Sequence, residues 1–296
     1  MLSVCMCYGC VNSEAVWLPA EMKCNKLILA PLCLILCWML PVDSKKISYI
    51  FSLRDANQVI PLNMVEDAVD DMYFGCHETM TEMIKDKYFK SEMKNSQFAD
   101  VWKKAEHCAN KKLEPSDKGE EALTKKHKQA ICVYTSDDQN FYGIFNEAVR
   151  TNQKIYGKSF AFHSLHFWLT SAVQILSNNK KCHTTYRRTN LVLSGNVNDI
   201  IRFGFFASSS KRTDLKKFGS KTCFQIETCY GAFLKKYPLL KDKEQEVLIP
   251  PYEMFKITKK LENKYKEHLS DCETVYYLKS AGFQSNINCH VAKMHN

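Results

Sequence analysis

At 296 residues, 45% of them hydrophobic and 25% charged, the chain can bury a sizeable core and is too apolar to be disordered throughout. Its formal net charge of +9 is spread along the sequence, which argues against a nucleic-acid-binding stripe but is compatible with an anionic ligand such as a polyphosphate. No Asn-x-Ser/Thr sequon occurs, so N-glycosylation is not expected.

Lys23 and Lys26 precede an apolar run of 16 residues, Leu27 to Val42, which ends abruptly in the polar Asp-Ser-Lys-Lys. A basic flank and a core shorter than the roughly 20 residues of a spanning helix read as a secretory signal. Residues 1–44 are therefore taken as an N-terminal extension and signal peptide, with Met22 as an alternative start. Cys5, Cys7 and Cys10 lie in that extension without a second Cys or His cluster to complete a four-ligand site, and no metal is expected. Eight cysteines follow it, an even set that in an exported chain reads as disulfides. The polar C-terminus, Ser285 to Asn296, lacks the hydrophobic tail of a lipid-anchor signal, so a secreted protein free of stable membrane insertion is expected.

Residues 45–296 read as one domain in two subregions, about 60–178 mainly helical and 179–290 mainly β. In the first, apolar residues recur at three- and four-residue steps. The clearest case is Phe162 to Leu176, where Phe162, Leu165, Trp168, Leu169, Ala172, Val173 and Leu176 share a broad face. His163 and His166 lack a third ligand at suitable spacing and are read as ordinary core or surface histidines. The charged stretch Ala109 to Lys128, with Pro115 and Gly119, reads as a solvated turn.

After residue 180 short runs rich in β-branched and aromatic residues alternate with Gly, Asn, Ser or Pro. Helices followed by strands give an α+β architecture. Two glutamates, Glu244 and Glu246, stand two apart before the apolar Val247-Leu248-Ile249. In an extended segment they face one side, where like charges repel unless a cation sits between them.

Arg187 in TYRRTN, the serines Ser208 to Ser210 in FASSSK, and Glu244/Glu246 in EQEVLIPP are unspecific singly. Together, in this order, they resemble the arginine, Ser-x-Ser and Glu-x-Glu triad of the arginine-specific ecto-mono-ADP-ribosyltransferases, relatives of cholera-type toxins. FGSKTCFQIETCYGAFL, YTSDDQNFYGIFNEAVR and FHSLHFWLTSAVQIL resemble further blocks of that family, and the likeness covers about residues 60–290.

The resemblance implies a helical half packed on a β-rich NAD-binding core of two sheets, and an enzyme that transfers ADP-ribose from NAD, with NADP as an alternative donor, to arginine side chains. By family position Arg187 clamps the pyrophosphate and Ser208 holds the ribose or fixes the rotamer of Glu246. Glu246 stabilises the developing oxocarbenium ion, and Phe218 packs on the nicotinamide ring. Glu244 orients and deprotonates the acceptor guanidinium. Many relatives carry Gly where this chain has Arg188, which is not expected to bind ligand itself. The family bridges correspond to Cys76–Cys289 and Cys182–Cys229. The pairing of the other four stays open in the sequence, with Cys108–Cys132 and Cys223–Cys272 expected because each joins cysteines of one half. Expected partners are NAD and arginine-bearing proteins, without nucleic acid, for a monomeric enzyme. NAD hydrolysis without a protein acceptor, or a non-catalytic member of the fold, are the alternatives.

Overall fold

The computed structural model describes residues 58–111, 119–136, 138–177, 181–239, 242–262 and 268–294. The signal and extension expected over residues 1–44 lie outside them. Among the described residues no helix is long and apolar enough to cross a membrane.

The first half is helical. Helix α1 (His77–Met83) passes through a π turn (Ile84–Tyr88) into α2 (Phe89–Glu92), followed by α3 (Ser96–Asn110), α4 (Lys125–Tyr134), α5 (Phe141–Thr151) and α6 (His163–Leu176). Their ends are fixed by local chemistry. Asn95 accepts a bond from the Phe98 amide at the start of α3, and Thr124 and His127 form a reciprocal capping box on α4. The start of α6 is capped from afar: the buried Glu92 carboxylate accepts from the His163 and Ser164 amides at 2.6 and 3.1 Å, which places an anion at a helix N-terminus.

Helix α6 is more deeply placed than its apolar face requires, because all of His163 to Val173 is buried. Both histidines belong to that core. His166 donates from Nε2 to the Val69 carbonyl at 2.9 Å and accepts at Nδ1 from Tyr73 Oη at 2.7 Å. Burial pushes its pKa down to about 3, so the ring stays neutral. The solvated turn expected before α4 is not all solvated. Among its described residues Glu120, Leu123, His127 and Lys128 are buried, and Glu120 pairs with Lys235 and accepts from Tyr237 Oη at 2.8 Å. A charged sequence cannot announce that its partner lies more than a hundred residues away.

The second half contains β2 (His183–Thr189), β3 (Val192–Ser194), β4 (Ile200–Arg202), β5 (Ala207–Ser210), β6 (Thr222–Thr228), β7 (Ala232–Phe233), β8 (Glu246–Ile249), β9 (Glu253–Glu262) and β10 (Thr274–Phe283), with a short α7 (His290–Lys293). Eight strands form one sheet in the order β4-β9-β10-β6-β2-β5-β8-β7. The remaining strand, β3, pairs in parallel with β1 (Val59–Pro61), so a strand from before the helices completes a second, two-stranded sheet. The expected α+β class with two sheets is what the fold shows.

Two hydrophobic cores flank the central strands. One joins the helices to Phe206, Leu234, Tyr237 and Leu248; the other lies among the strands and includes Ala207, Phe224, Ile249, Phe255 and Tyr276, with Leu62 and Leu193 against it. The adjacent residues Leu248 and Ile249 of β8 thus enter different cores, as the period of two demands. Four disulfides, Cys76–Cys289, Cys108–Cys132, Cys182–Cys229 and Cys223–Cys272, brace the domain. A fully buried ion pair, Arg202 with Asp70 at 2.6 Å, ties β4 to the segment that precedes the helices.

Candidate active site

Strands β2, β5 and β8 are neighbours although they come from distant parts of the chain. Antiparallel pairing sets Ser208 opposite Leu248 and Ser210 opposite Glu246. Since Leu248 faces the helical core, Ser208, Ser210 and Glu246 share the helix-facing side of the sheet. Small serines at this point leave open a space that β-branched residues would fill. The result is a cavity of about 530 Å³, within the range of small-molecule sites.

Every residue singled out for the site, namely Arg187, Ser208, Phe218, Glu244 and Glu246, lines that cavity. The Arg187 guanidinium donates from Nη1 to the Ser208 carbonyl at 2.6 Å and lies 5.6 Å from the centre of the Phe205 ring. Desolvation lowers its pKa, and the site carboxylate Glu246 opposes that shift. Glu246 itself is pushed up to about 7, first by burial and then by the nearby Glu244. A hydrogen bond from Ser208 and the charge of Arg187 pull the other way. A carboxyl group so poised in a cavity makes Glu246 a candidate functional group.

The Glu-x-Glu pair reaches the cavity differently from an extended strand. Strand β8 begins only at Glu246, and Gln245 adopts a left-handed conformation with φ of 44°. Glu244 therefore stands on a turn, and both carboxylates line one cavity through that turn rather than through strand alternation. Bonds from β5 and its continuation hold the turn: Ser210 Oγ donates to the Glu244 carbonyl at 2.5 Å and the Lys211 amide to the Gln245 carbonyl at 3.1 Å. Glu244 is partly exposed and Lys217 Nζ lies 2.5 Å from its Oε1. Phe218, 47% exposed, sits at the end of a short 3-10 turn (Lys216–Phe218) on the same loop.

Arg188 also lines the cavity, but its guanidinium is engaged by other partners. It is buried, forms a two-pronged pair with Asp271 at 2.8 and 3.1 Å, and donates to the Thr213 carbonyl at 2.8 Å. Its side chain thus ties the loop that carries Thr213 to Asp271.

Other lining residues were not foreseen, and three of them come from one block of the helical half. Tyr134, at the end of α4, is buried with its hydroxyl donated to the Phe206 carbonyl and 3.4 Å from Ser208 Oγ. Asn146 on α5 donates to both Tyr134 Oη and the Phe206 carbonyl, at 3.0 and 3.1 Å. Tyr142, 44% exposed, stands at the mouth. All three lie in or beside the YTSDDQNFYGIFNEAVR block, which carried resemblance but no assigned role. Burial drives the Tyr134 pKa up to about 12, so its hydroxyl stays neutral, donating to the Phe206 carbonyl and accepting from Ser208 Oγ.

Comparison with known proteins follows the same outline. Residues 62–273 match the family model described as NAD:arginine ADP-ribosyltransferase. The chain is 33% identical over 218 residues to ecto-ADP-ribosyltransferase 5 of Rattus norvegicus, covering 68% of each protein. It is 31% identical over 264 residues to the GPI-linked NAD(P)(+)--arginine ADP-ribosyltransferase 1 of Mus musculus, covering 83% of this chain and 78% of that one. Among solved structures it is similar to the eucaryotic mono-ADP-ribosyltransferase ART2.2, with a TM-score of 0.64 and 30% identity over 78% of this chain and 98% of that one. A mutant of that enzyme in complex with NADH aligns equally well, at 29% identity.

Proposed function

The chain belongs to the NAD:arginine ADP-ribosyltransferase family, and we propose that its cavity transfers ADP-ribose from NAD to an arginine side chain with Glu246 as the group that stabilises the reacting centre. The observation that carries this reading is the meeting of two carboxylates, an arginine and a serine, from three strands and the turn before β8, in one cavity. Arginine suits a pyrophosphate because its planar fork offers two parallel N–H donors, and Arg187 has one already fixed by the Ser208 carbonyl.

In the reaction the bond between nicotinamide nitrogen and ribose carbon breaks, and its electron pair leaves with nicotinamide. Positive charge develops on the ribose carbon and ring oxygen. A carboxylate held beside that carbon lowers the barrier, as in glycoside hydrolysis. Ser208, which lines the same cavity and lowers the Glu246 pKa against burial, is the residue that orients Glu246. A guanidinium nitrogen then forms the new bond to carbon and loses a proton, for which Glu244 is the acceptor. The paired cysteines and the ecto-enzyme relatives fit an exported protein.

Incubating labelled NAD with agmatine tests the reading directly. ADP-ribosyl-agmatine is the expected product; free ADP-ribose and nicotinamide alone would make the protein an NAD glycohydrolase, and no turnover would make it a non-catalytic member of the fold. Glu244→Gln should reduce transfer to agmatine about a hundredfold while leaving nicotinamide release measurable. Equal loss of both activities would remove Glu244 from its acceptor role.

The pH dependence is a further check. Only the ionised form of Glu246 can stabilise a cation, and its carboxyl sits at about 7. The kcat/KM for NAD should thus fall about tenfold per pH unit below that value and level off above it. Replacing Glu244 by Gln removes a like charge, so the break should move to lower pH. A profile flat from pH 5 to 8 would contradict the assignment.

A further inference from the structure

The loop that follows β5 runs from Lys211 to Gly219 past the cavity mouth and is anchored at both ends. At its start the Arg212 amide donates to Ser210 Oγ at 2.9 Å. The Arg212 guanidinium is spent on Asp214, at 2.9 and 2.6 Å, and on the Lys243 carbonyl at 2.7 Å. Farther along, Arg188 grips the Thr213 carbonyl, and the Ser220 amide donates to Asn190 Oδ1 at 3.2 Å. Gly219 closes the turn with φ of 122°, and a Cβ there would stand 2.5 Å from the Thr189 carbonyl carbon, so only glycine fits. Between these anchors Lys217 reaches across the mouth to Glu244. Its side chain is 61% exposed and that of Glu244 24% exposed, so the pair lies at the solvent edge with the carboxylate on the inner side.

We propose that Lys217 is a competitor built into the acceptor site: its ammonium occupies the Glu244 carboxylate, and an incoming arginine must displace it before transfer. This rests on Glu244 being the acceptor carboxylate. The held backbone confines the exchange to one side chain, which can swing into solvent. A protonated ammonium has no lone pair to attack the ribose carbon, so Lys217 blocks the position without being modified there. Arginine displaces it because a guanidinium can bind a carboxylate through two parallel hydrogen bonds. Water and other neutral acceptors form no ion pair with Glu244 and do not need to displace Lys217 to reach the ribose carbon. Lys217 therefore sets the balance between transfer and hydrolysis, acting as a specificity-determining residue for the acceptor.

The test measures transfer and hydrolysis in the same reaction, with NAD fixed and agmatine varied. Lys217→Met should lower the agmatine KM about two- to fivefold, the range expected from removing one exposed ion pair, and raise the ratio of ADP-ribosyl-agmatine to free ADP-ribose by a like factor at low agmatine. Lys217→Arg, which keeps a cation on Glu244, should leave that KM at or above the wild-type value. The competitor role is overturned if Lys217→Met leaves the agmatine KM unchanged while Glu244→Gln still loses transfer, or if Lys217→Arg lowers it as much as Lys217→Met does. Transfer at the wild-type rate by Glu244→Gln would instead bring down the acceptor reading on which the role rests.

Discussion

Glu246→Gln should abolish nicotinamide release, by about a thousandfold or more, while NAD binding survives. The amide is nearly isosteric, and Glu246 stands at the first position of β8, where its backbone is fixed by pairing with Ser210. What the substitution removes is a negative charge beside the developing cation. That charge acts chiefly in the transition state, so its loss falls on kcat rather than on binding. Two measurements check this: nicotinamide release under saturating NAD, and NAD binding by calorimetry. Turnover within tenfold of the parent would show that the charge is not what lowers the barrier. The preserved cavity, with Arg187 still bonded to the Ser208 carbonyl, gives NAD its hold in the variant.

The second large effect concerns the frame of the site. Arg202 and Asp70 are wholly buried, and Arg202 also donates to the carbonyls of Met64, Gln284 and Val65 at 2.7, 2.8 and 3.2 Å. Asp70 in turn accepts from the Asn286 and Ile287 amides. One pair thus joins the chain before the helices, an edge strand of the main sheet and the segment after β10. Arg202→Met would leave a buried carboxylate without its cation and carbonyls without a donor, at a cost of about 3–5 kcal/mol. In a domain of this size, Tm should fall by roughly 6–20 °C. Thermal unfolding followed by circular dichroism reads this out, and a loss under about 1 kcal/mol would mean the pair is replaceable. Replacing both residues by apolar ones should recover part of the loss, since a buried pair is costly mainly when only half of it remains.

Much of this was legible in the sequence because it depends on period and order. The helical spacing in α6 can be read from side chains alone, and so can the order of Arg187, the serines and the glutamates. The conformation at Gln245 could not be read, because glutamine has no preference for positive φ; the turn is held by Ser210 and Lys211, which belong to another part of the chain. Tyr134 and Asn146 were hidden for a related reason. On α4 and α5 they look like ordinary residues, and only the packing of the helical half on Phe206 brings them to the site. Glu120 and Arg188 looked solvated or unexplained because their partners, Tyr237 and Asp271, are far along the sequence. Pairing of β1 with β3, across the whole helical half, likewise leaves no local trace.

The four disulfides also impose a timetable on biosynthesis. Cys108 and Cys132 are only 24 residues apart and can join soon after both are made and meet an oxidising environment. Cys182–Cys229 and Cys223–Cys272 span 47 and 49 residues and must wait for the sheet. Cys76–Cys289 spans 213 residues, so Cys76 stays unpaired, or wrongly paired, until nearly all of the described domain has been made. A thiol at Cys76 therefore distinguishes an unfinished chain from a finished one. A translation product that stops before residue 289 would keep the strands that carry Arg187, Ser208 and Glu246 and still display the mark of an unfinished chain.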